Sequence, residues 1–548
     1  MAGTRYPLEV RPVVPAALER LHDLAGNLLY SWDRRVRSLF RRIDADLWDS
    51  CDHNPKVFLR RVAQERLDEL AADTEFLADF NAVTAAFDRY HEATDPMVRR
   101  VDGLDPATDR VAYFCMEYGL HESMHLYSGG LGILAGDHCK AAADIGLPFI
   151  AVGLMYRQGY FTQTVDADGT QNAHYQPVEL ADLPIEPAAG TDGEPLTVSV
   201  PLAGHEVRAR VWQAWVGHAR LLLLDTELPD NGKDDRAITY QLYGGDRGTR
   251  IAQEIVLGIG GVRALRGLGL EPSVWHVNEG HPAFSVLERC RELVAAGVEF
   301  DAALEAVAAA TVFTTHTPVA AGHDLFDREL VTSHLRGFAG ELGISLERLL
   351  ELGRSPQDPE QFNMTALALR GSRRHNGVSR IHGRVAAGME SYLWPEIPPA
   401  ENPIAAITNG VHVPTFLARD WADLLDTVAA GWRSHLTEPE YWADLVAGIP
   451  DQRFWAVRQL LKDHLFTYLR GRLTREYTRR HLSGARVRSM QQALGADHAR
   501  TLVIGFARRF ATYKRALLLF RDPERLARIV GDPDRPVILL FAGKAHPR

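Results

Sequence analysis

Long uninterrupted hydrophobic runs are missing from this chain. Of its 548 residues 46% are hydrophobic, yet no stretch reaches the ~18 apolar residues that a membrane-crossing helix needs. The opening MAGTRYPLEVRPVVP has no apolar core and no small-residue cleavage pattern, so it does not read as an export signal. Cysteine is scarce. Cys51, Cys115, Cys139 and Cys290 lie far apart with no CxxC pair, which gives no support for a disulfide framework or a zinc site and fits packed thiols in a reducing cytoplasm. A basic excess is also missing: the formal net charge is −10, against the footprint of a nucleic-acid binder. Internal repeats and low-complexity tracts are absent too. These absences predict a cytoplasmic protein with no membrane and no nucleic-acid partner, while leaving room for a local basic pocket.

What is present is length enough for two or three domains of ~100–200 residues each. From Pro15, a residue suited to a first helical turn, Leu18, Leu21, Leu24, Leu28 and Trp32 recur at helical spacing. Helical patterns run to about His91, and Pro96 with the polar run to Asp109 reads as a connector. The grammar then changes to short apolar runs alternating with helices: Val111–Cys115, Phe149–Tyr156, Val274–Asn278, Thr311–Thr315 and Ile404–Thr408, with an amphipathic Leu134–Ile145. Val207–Trp212 alternates as a half-buried strand and forms a hairpin with Leu221–Leu224 across a Gly217 turn. Strand–helix alternation predicts a mainly parallel sheet covered by helices. Phe454–His481 reads as one long helix, and Leu502–Phe506 with Val537–Phe541 as the first strands of a second α/β unit. Two parallel strands with one helix cannot cover their own faces, so the expectation is a chain cut short within that unit.

Five motifs carry candidate chemistry. Ser128-Gly129-Gly130-Leu131-Gly132 leads into a helix, where glycines let backbone N–H groups approach an anion; it reads equally as a tight turn needing positive φ. Thr314-Thr315-His316-Thr317-Pro318 places His316 at the end of an apolar run, where open α/β sheets bind ligands. Gly322-His323-Asp324 follows it, and Asp324 or a backbone carbonyl is a candidate to orient the His316 ring. Val277-Asn278-Glu279-Gly280-His281 offers groups that bond sugar hydroxyls, and its reading as a helix cap is favoured. Arg508-Arg509-Phe510-Ala511-Thr512-Tyr513-Lys514-Arg515 follows a strand and reads as a phosphate clamp, Arg as a bidentate fork and Lys as a point charge; the competing reading is a solvated face. Ser372–His382, with a turn signal at Asn376-Gly377, reads as a loop between helices.

The order of these segments resembles that of the α-glucan (glycogen, starch, maltodextrin) phosphorylases. The resemblance is carried by Gly129–His138 (GGLGILAGDH), Gly153–Phe161 (GLMYRQGYF), His375–His382 (HNGVSRIH), Thr408–His412 (TNGVH), Arg508–Arg515 (RRFATYKR) and Ala542–Pro547 (AGKAHP). Asn27–Trp32 resembles the extra helical N-terminal domain of a bacterial branch. The resemblance implies an α/β fold of GT-B type, two Rossmann-like domains facing a cleft with the second incomplete here, preceded by helices. It implies a helical domain over 1–109, a glucan-binding domain over 110–412, and the start of a phosphate and cofactor domain over 413–548. It implies reversible phosphorolysis of terminal α-1,4-glucosyl units to glucose 1-phosphate, with α-1,4-glucan and inorganic phosphate as partners, and leaves a homo-oligomer open. It implies pyridoxal phosphate acting through its phosphate group, with the covalent lysine downstream of AGKAHP, so that Lys544 is not that anchor.

Carried over by residue, His316 matches the histidine against the glucosyl unit, Asn376 an asparagine on sugar hydroxyls, and Arg509 with Lys514 the pair on the substrate phosphate. Gly129, Gly130 and Leu131 match the loop facing the phosphates. Asn278, Glu279 and His281 fall in an acceptor-side segment that often reads N-D-T-H, and Arg508 stands where many members have a lysine near the cofactor phosphate. Arg548 departs from the small or acidic residue expected after Pro547. A chain ending here is expected to be inactive alone, without bound cofactor. Two readings compete: a nucleotide-sugar glycosyltransferase such as a glycogen or starch synthase, disfavoured because Tyr127-Ser128 replace the K-T of a K-T-G-G-L-G loop, and a non-catalytic glucan-binding fragment.

Overall fold

The computed structural model describes residues 10–92, 104–105, 108–166, 168–319, 323–479, 484–495 and 499–547. Pro96, Gly322, His481 and Arg548, each singled out above, lie outside the described residues. The chain divides into two compact units, Met1–Tyr160 with Tyr175–Thr415, and Phe161–His174 with Phe416–Arg548.

The first unit begins with short helices whose starts are written in the sequence. Asp33, Asp44, Asn54 and Asp73 each accept from first-turn N–H groups, satisfying donors that have no intrahelical partner. Pro55 sits in the first turn of Pro55–Arg61. The helices Arg34–Ile43, Pro55–Arg61 and Thr74–His91 bury Phe40, Phe58 and Phe76 completely. Trp48 stacks on Phe40 at 5.2 Å.

Ten of the described strands then form one sheet. Its parallel part runs in the order Ile404–Ala406, Arg374–Gly377, Thr311–Thr315, Val274–Asn278, Val111–Phe114, Phe149–Leu154, Ala219–Asp225. His205–Val216 adds antiparallel to the last of these and carries Thr197–Leu202 and Ile185–Pro187. The α/β expectation therefore holds, with a helical start and a large, mainly parallel sheet. The expected hairpin is present as well: Gly217 turns it at φ +59°, and a Cβ there would meet the Tyr90 hydroxyl at 2.5 Å. Val111–Phe114 and Phe149–Leu154 are buried along their whole length, as parallel strands covered on both faces must be.

One segment departs from its reading. Arg374–Gly377 is a strand and not a loop, lodged between Thr311–Thr315 and Ile404–Ala406. Asn376-Gly377 makes no turn there; both residues are buried in the sheet. The segment lacks an apolar run because its polar residues are needed where the strand ends.

The second unit holds the helix Asp451–Arg479, close to the predicted span. The strands Leu502–Ala507 and Val537–Ala542 pair in parallel in a two-stranded sheet. The hairpin Thr162–Val165 with Gln171–His174 belongs to this unit. Its Gln163 and Gln171 amides donate to the carbonyls of Gly543 and His546. Apolar side chains stay uncovered here: Leu502 is 58% exposed and Leu517 80%. Among the described residues no helix is long and apolar enough to cross a membrane.

Candidate functional site

The parallel strands Val274–Asn278, Thr311–Thr315 and Arg374–Gly377 end side by side, and their last residues form a polar cluster. Asn278 and Glu279 do not cap a helix; the next helix, Phe284–Ala295, starts later and has Ala283 in the cap position. Glu279 turns back instead, in the left-handed region at φ +68°, a conformation that costs a non-glycine residue ~1–3 kcal/mol. In return its carboxylate accepts from His316 N at 2.5 Å, Thr317 Oγ1 at 2.9 Å and Thr315 Oγ1 at 3.4 Å. Burial raises the pKa of Glu279, and His281, followed by the His316 N–H and the Thr317 hydroxyl, opposes the rise.

The His316 ring is oriented by Asn278 and not by Asp324 or a carbonyl, the partners expected from sequence. Its Nε2 lies 2.7 Å from Asn278 Oδ1, and the Asn278 amide donates its Nδ2 to Cys115 Sγ at 3.1 Å. The amide oxygen is thus the acceptor, Nε2 carries the proton, and Nδ1 is left as an acceptor. Burial pushes the His316 pKa down to about 3, so the ring is neutral at pH 7. A second relay runs beside it: His276 Nε2 donates to Thr314 Oγ1 at 2.8 Å, and Thr314 Oγ1 donates to Asn376 Oδ1 at 2.9 Å. Burial pushes His276 down to about 3 as well.

Asp324 serves His281. Its carboxylate lies 3.1 Å from His281 Nε2 and 2.7 Å from Arg250. Burial alone would raise its pKa, but Arg250 and His281 together hold it well below the usual carboxylate range. Arg250 also lies 4.6 Å over the Tyr243 ring, and Tyr243 donates to Glu117 at 2.7 Å.

Glu117 changes the reading of the glycine loop. This buried carboxylate accepts from Ser128 N at 2.6 Å and Gly129 N at 3.2 Å, so a protein anion already occupies the N–H groups ahead of the helix Gly130–Asp144. Gly130, Leu131 and Gly132 form the first turn, whose N–H groups have no intrahelical partner. No positive φ is used: Gly129 is extended at φ −162°. Glycine is required by close approach instead. A Cβ at Gly132 would meet Tyr127 Cβ at 2.5 Å, and one at Gly136 would meet Gly119 O at 2.2 Å. A Cβ at Gly130 would meet nothing within 4 Å, the residue being exposed.

A cavity of about 470 Å³ opens at this end of the sheet. Asn278, Thr314 and Asn376 line it from the strand ends, and Asp137 and His138 line it from the glycine helix. The TNGVH segment closes it with Thr408, Asn409 and His412. Burial pushes His138 down to about 4. Asp137, His138, His276 and Asn409 were not singled out as site residues from sequence. Asn409 and His412 had a signal in the TNGVH motif; His276 had none, being a polar residue inside an apolar strand.

Arg508, Arg509 and Lys514 belong to the second unit. Arg508 N continues the strand ladder to Ala542 O at 3.1 Å, which leaves its side chain exposed beside that of Arg509. The Lys514 ammonium lies 4.6 Å over the Tyr513 ring, a cation–π contact. Lys544 donates to Phe161 O at 2.6 Å, and burial lowers its pKa.

Covalent attachment of pyridoxal phosphate needs a lysine amine open to a cavity. The lysines are Lys56, Lys140, Lys233, Lys462, Lys514 and Lys544, and none lines the cavity described above. Burial lowers Lys140 to about 8, but its side chain is 1% exposed and its ammonium is taken by Thr415 at 3.2 Å. The lysines of this chain do not fit the attachment.

A family model described as "Protein of unknown function (DUF3417)" matches residues 14–124. The chain is similar to the glycogen phosphorylase of Mycobacterium tuberculosis (strain ATCC 25618 / H37Rv), 42% identical over 558 residues, covering 98% of this chain and 63% of that protein. It is 40% identical over 542 residues to the maltodextrin phosphorylase of Thermococcus litoralis, covering 98% of this chain and 63% of that protein. It is 34% identical over 530 residues to the glycogen phosphorylase of Aquifex aeolicus, covering 96% of this chain and 75% of that protein. The chain therefore spans 63% of the length of the first two relatives. The alignment takes in the helical start, the buried sheet and the cation-bearing strand alike, and the chain belongs to the glycogen and maltodextrin phosphorylase family.

Proposed function

We propose that this chain supplies the glucan-binding part of an α-glucan phosphorylase, an enzyme that transfers a terminal α-1,4-glucosyl unit to inorganic phosphate, reversibly and with retention, to give glucose 1-phosphate. The observation that carries this reading is the lining of the cavity. Its amides and hydroxyls, with the neutral imidazoles of His138 and His276, match a glucosyl unit, whose hydroxyls both donate and accept. His316 lies beside that lining and not in it; bonded through Nε2 to Asn278, with no partner on Nδ1 among the described residues and a pKa of about 3, it serves the sugar as a neutral hydrogen-bonding group and does not shuttle protons at neutral pH. Asn278 fixes that tautomer, and Glu279 holds the backbone on which His316 sits. Arg509 and Lys514 hold the substrate phosphate, and Arg508 lies toward the cofactor phosphate. Pyridoxal phosphate, when bound in such an enzyme, supplies a phosphate group acting on the substrate phosphate; with no fitting lysine here, no step is assigned through it. The matching division is a helical domain over 1–109, a glucan domain over 110–412 and a phosphate domain from 413.

Isothermal titration of the 548-residue chain with maltopentaose tests the reading. Asn409→Ala, a change at an exposed position, should weaken binding roughly fivefold to tenfold, the scale of one lost hydrogen bond. Tighter binding of a nucleoside diphosphate glucose than of maltopentaose would overturn the reading in favour of a nucleotide-sugar glycosyltransferase.

A further inference from the structure

Residues 407–412 line the cavity, yet most of them are exposed. The first half of the segment is tied to the neighbouring strand end, with Ile407 N bonded to Gly377 O at 3.0 Å and Asn409 N to Val378 O at 3.2 Å. Its last residue, His412, is buried and is held by one face of the glycine helix. Asp137, Lys140 and Asp144 share that face by their spacing of three and four residues. Asp137 Oδ2 accepts from His412 N at 3.2 Å, and Asp144 Oδ2 lies 2.9 Å from His412 Nε2. An ionised carboxylate only accepts, so Nε2 carries the proton. Nδ1 then accepts from Thr415 Oγ1 at 2.8 Å, and the same oxygen accepts from Lys140 Nζ at 3.2 Å. Both His412 donors, its backbone N–H and Nε2–H, thus end on carboxylates of the glycine helix.

The other oxygen of Asp144 is spoken for by the N-terminal helices. Asp144 Oδ1 accepts from Trp32 Nε1 at 3.2 Å and from Tyr90 Oη at 2.9 Å. The Trp32 ring meets His412 edge to face at 5.6 Å, and the Lys140 ammonium lies 5.5 Å over it. These helices are themselves anchored to the sheet. Asn27 bonds both the N–H and the carbonyl of Gly217, at 2.9 and 3.1 Å. Tyr30 Oη lies 3.1 Å from Ser123 Oγ.

We propose that the N-terminal helical segment is a clamp on the cavity wall, in which Trp32 and Tyr90, acting through Asp144 and Lys140, are positioning residues that hold His412 and thereby present residues 408–411 to the sugar. The proposal rests on the glucan reading for the identity of the ligand, and not for the clamp itself. It gives a task to a segment whose described residues make up none of the cavity lining.

The test compares the full chain with its Trp32→Phe/Tyr90→Phe variant, which removes one N–H and one O–H and leaves a six-membered aromatic ring at each position. Amide hydrogen exchange at 408–415 should speed up about tenfold, the scale of one or two lost hydrogen bonds. Exchange in the strands Val111–Phe114 and Val274–Asn278 should stay unchanged, with Tm shifted by no more than about 2 °C. Maltopentaose affinity should fall about tenfold, the consequence of misplacing contact groups. Restoring Trp32 in the Tyr90→Phe background should recover most of the protection. Asp144→Asn, which keeps the shape but lets the His412 proton go unmatched, should reproduce the effect. Unchanged exchange at 408–415 in both variants overturns the clamp, as does a uniform rise across the sheet, which marks general destabilisation. Absence of maltopentaose binding by the wild-type chain removes the glucan reading instead, and the exchange comparison still decides the clamp.

Discussion

The strand Phe149–Leu154 in the first unit and the strand Val537–Ala542 in the second have much the same composition, FIAVGL and VILLFA. All six residues of the first are buried, whereas five of the second are half-buried and the sixth is exposed. The difference lies in their neighbours. Phe149–Leu154 lies between Val111–Phe114 and Ala219–Asp225, while among the described residues Val537–Ala542 pairs with Leu502–Ala507 alone in its sheet. An apolar run becomes core when other elements cover both of its faces, and its own composition does not secure that.

The contrast is most open to attack through core truncation. Phe114→Ala, in a fully buried strand where the ring packs near Trp275 at 5.8 Å, should cost about 3–5 kcal/mol. Leu517→Ala, at a side chain 80% exposed, should stay within about 0.5 kcal/mol. Urea denaturation of the two variants gives both numbers, and equal losses would break the comparison.

A smaller effect sharpens it through pH. Burial pushes His138 down to about 4 among the rings of Tyr113, Phe149 and His276. Between about 4 and the unfolded value of ~6.5, the unfolded chain binds a proton that the folded chain does not. Its contribution to stability is therefore complete above that window and is lost as pH falls through it, at up to ~1.4 kcal/mol per pH unit. His138→Phe should flatten the acid limb of the first unit's stability curve in urea melts between pH 4 and 7. A limb as steep as the wild type's would remove His138 as a cause.

The smallest effect on stability belongs to the second unit. Lys514→Ala should leave the urea midpoint nearly unchanged, within ~0.5 kcal/mol, because its ammonium is only partly covered. Phosphate binding, followed by 31P line broadening on the full chain, should drop severalfold as a charge-assisted contact is lost. Unchanged phosphate binding would mark the cation cluster as a solvated face.

Local signals in the sequence determined the helical start, the long helix near Asp451–Arg479, and each strand whose residues form an apolar run. Caps, turn glycines and side-chain periodicity act within a few residues, so they can be read in order along the chain. The same signals missed Arg374–Gly377, whose polar residues are buried by the strands on either side, and misread Asn278 and Glu279 as caps. The resemblance to a family pointed to TNGVH, but nothing near Thr408–His412 names Asp144 as the carboxylate that holds His412, 268 residues away. Glu117 was likewise hidden: it reads as one more acidic residue until the fold puts it under Ser128 and Gly129. Tertiary structure alone decided which strand ends meet and which tautomers the histidines keep. The reason is physical: hydrophobic patterning specifies which face of an element is buried, while a hydrogen bond between side chains needs a register and a distance that only the assembled sheet supplies.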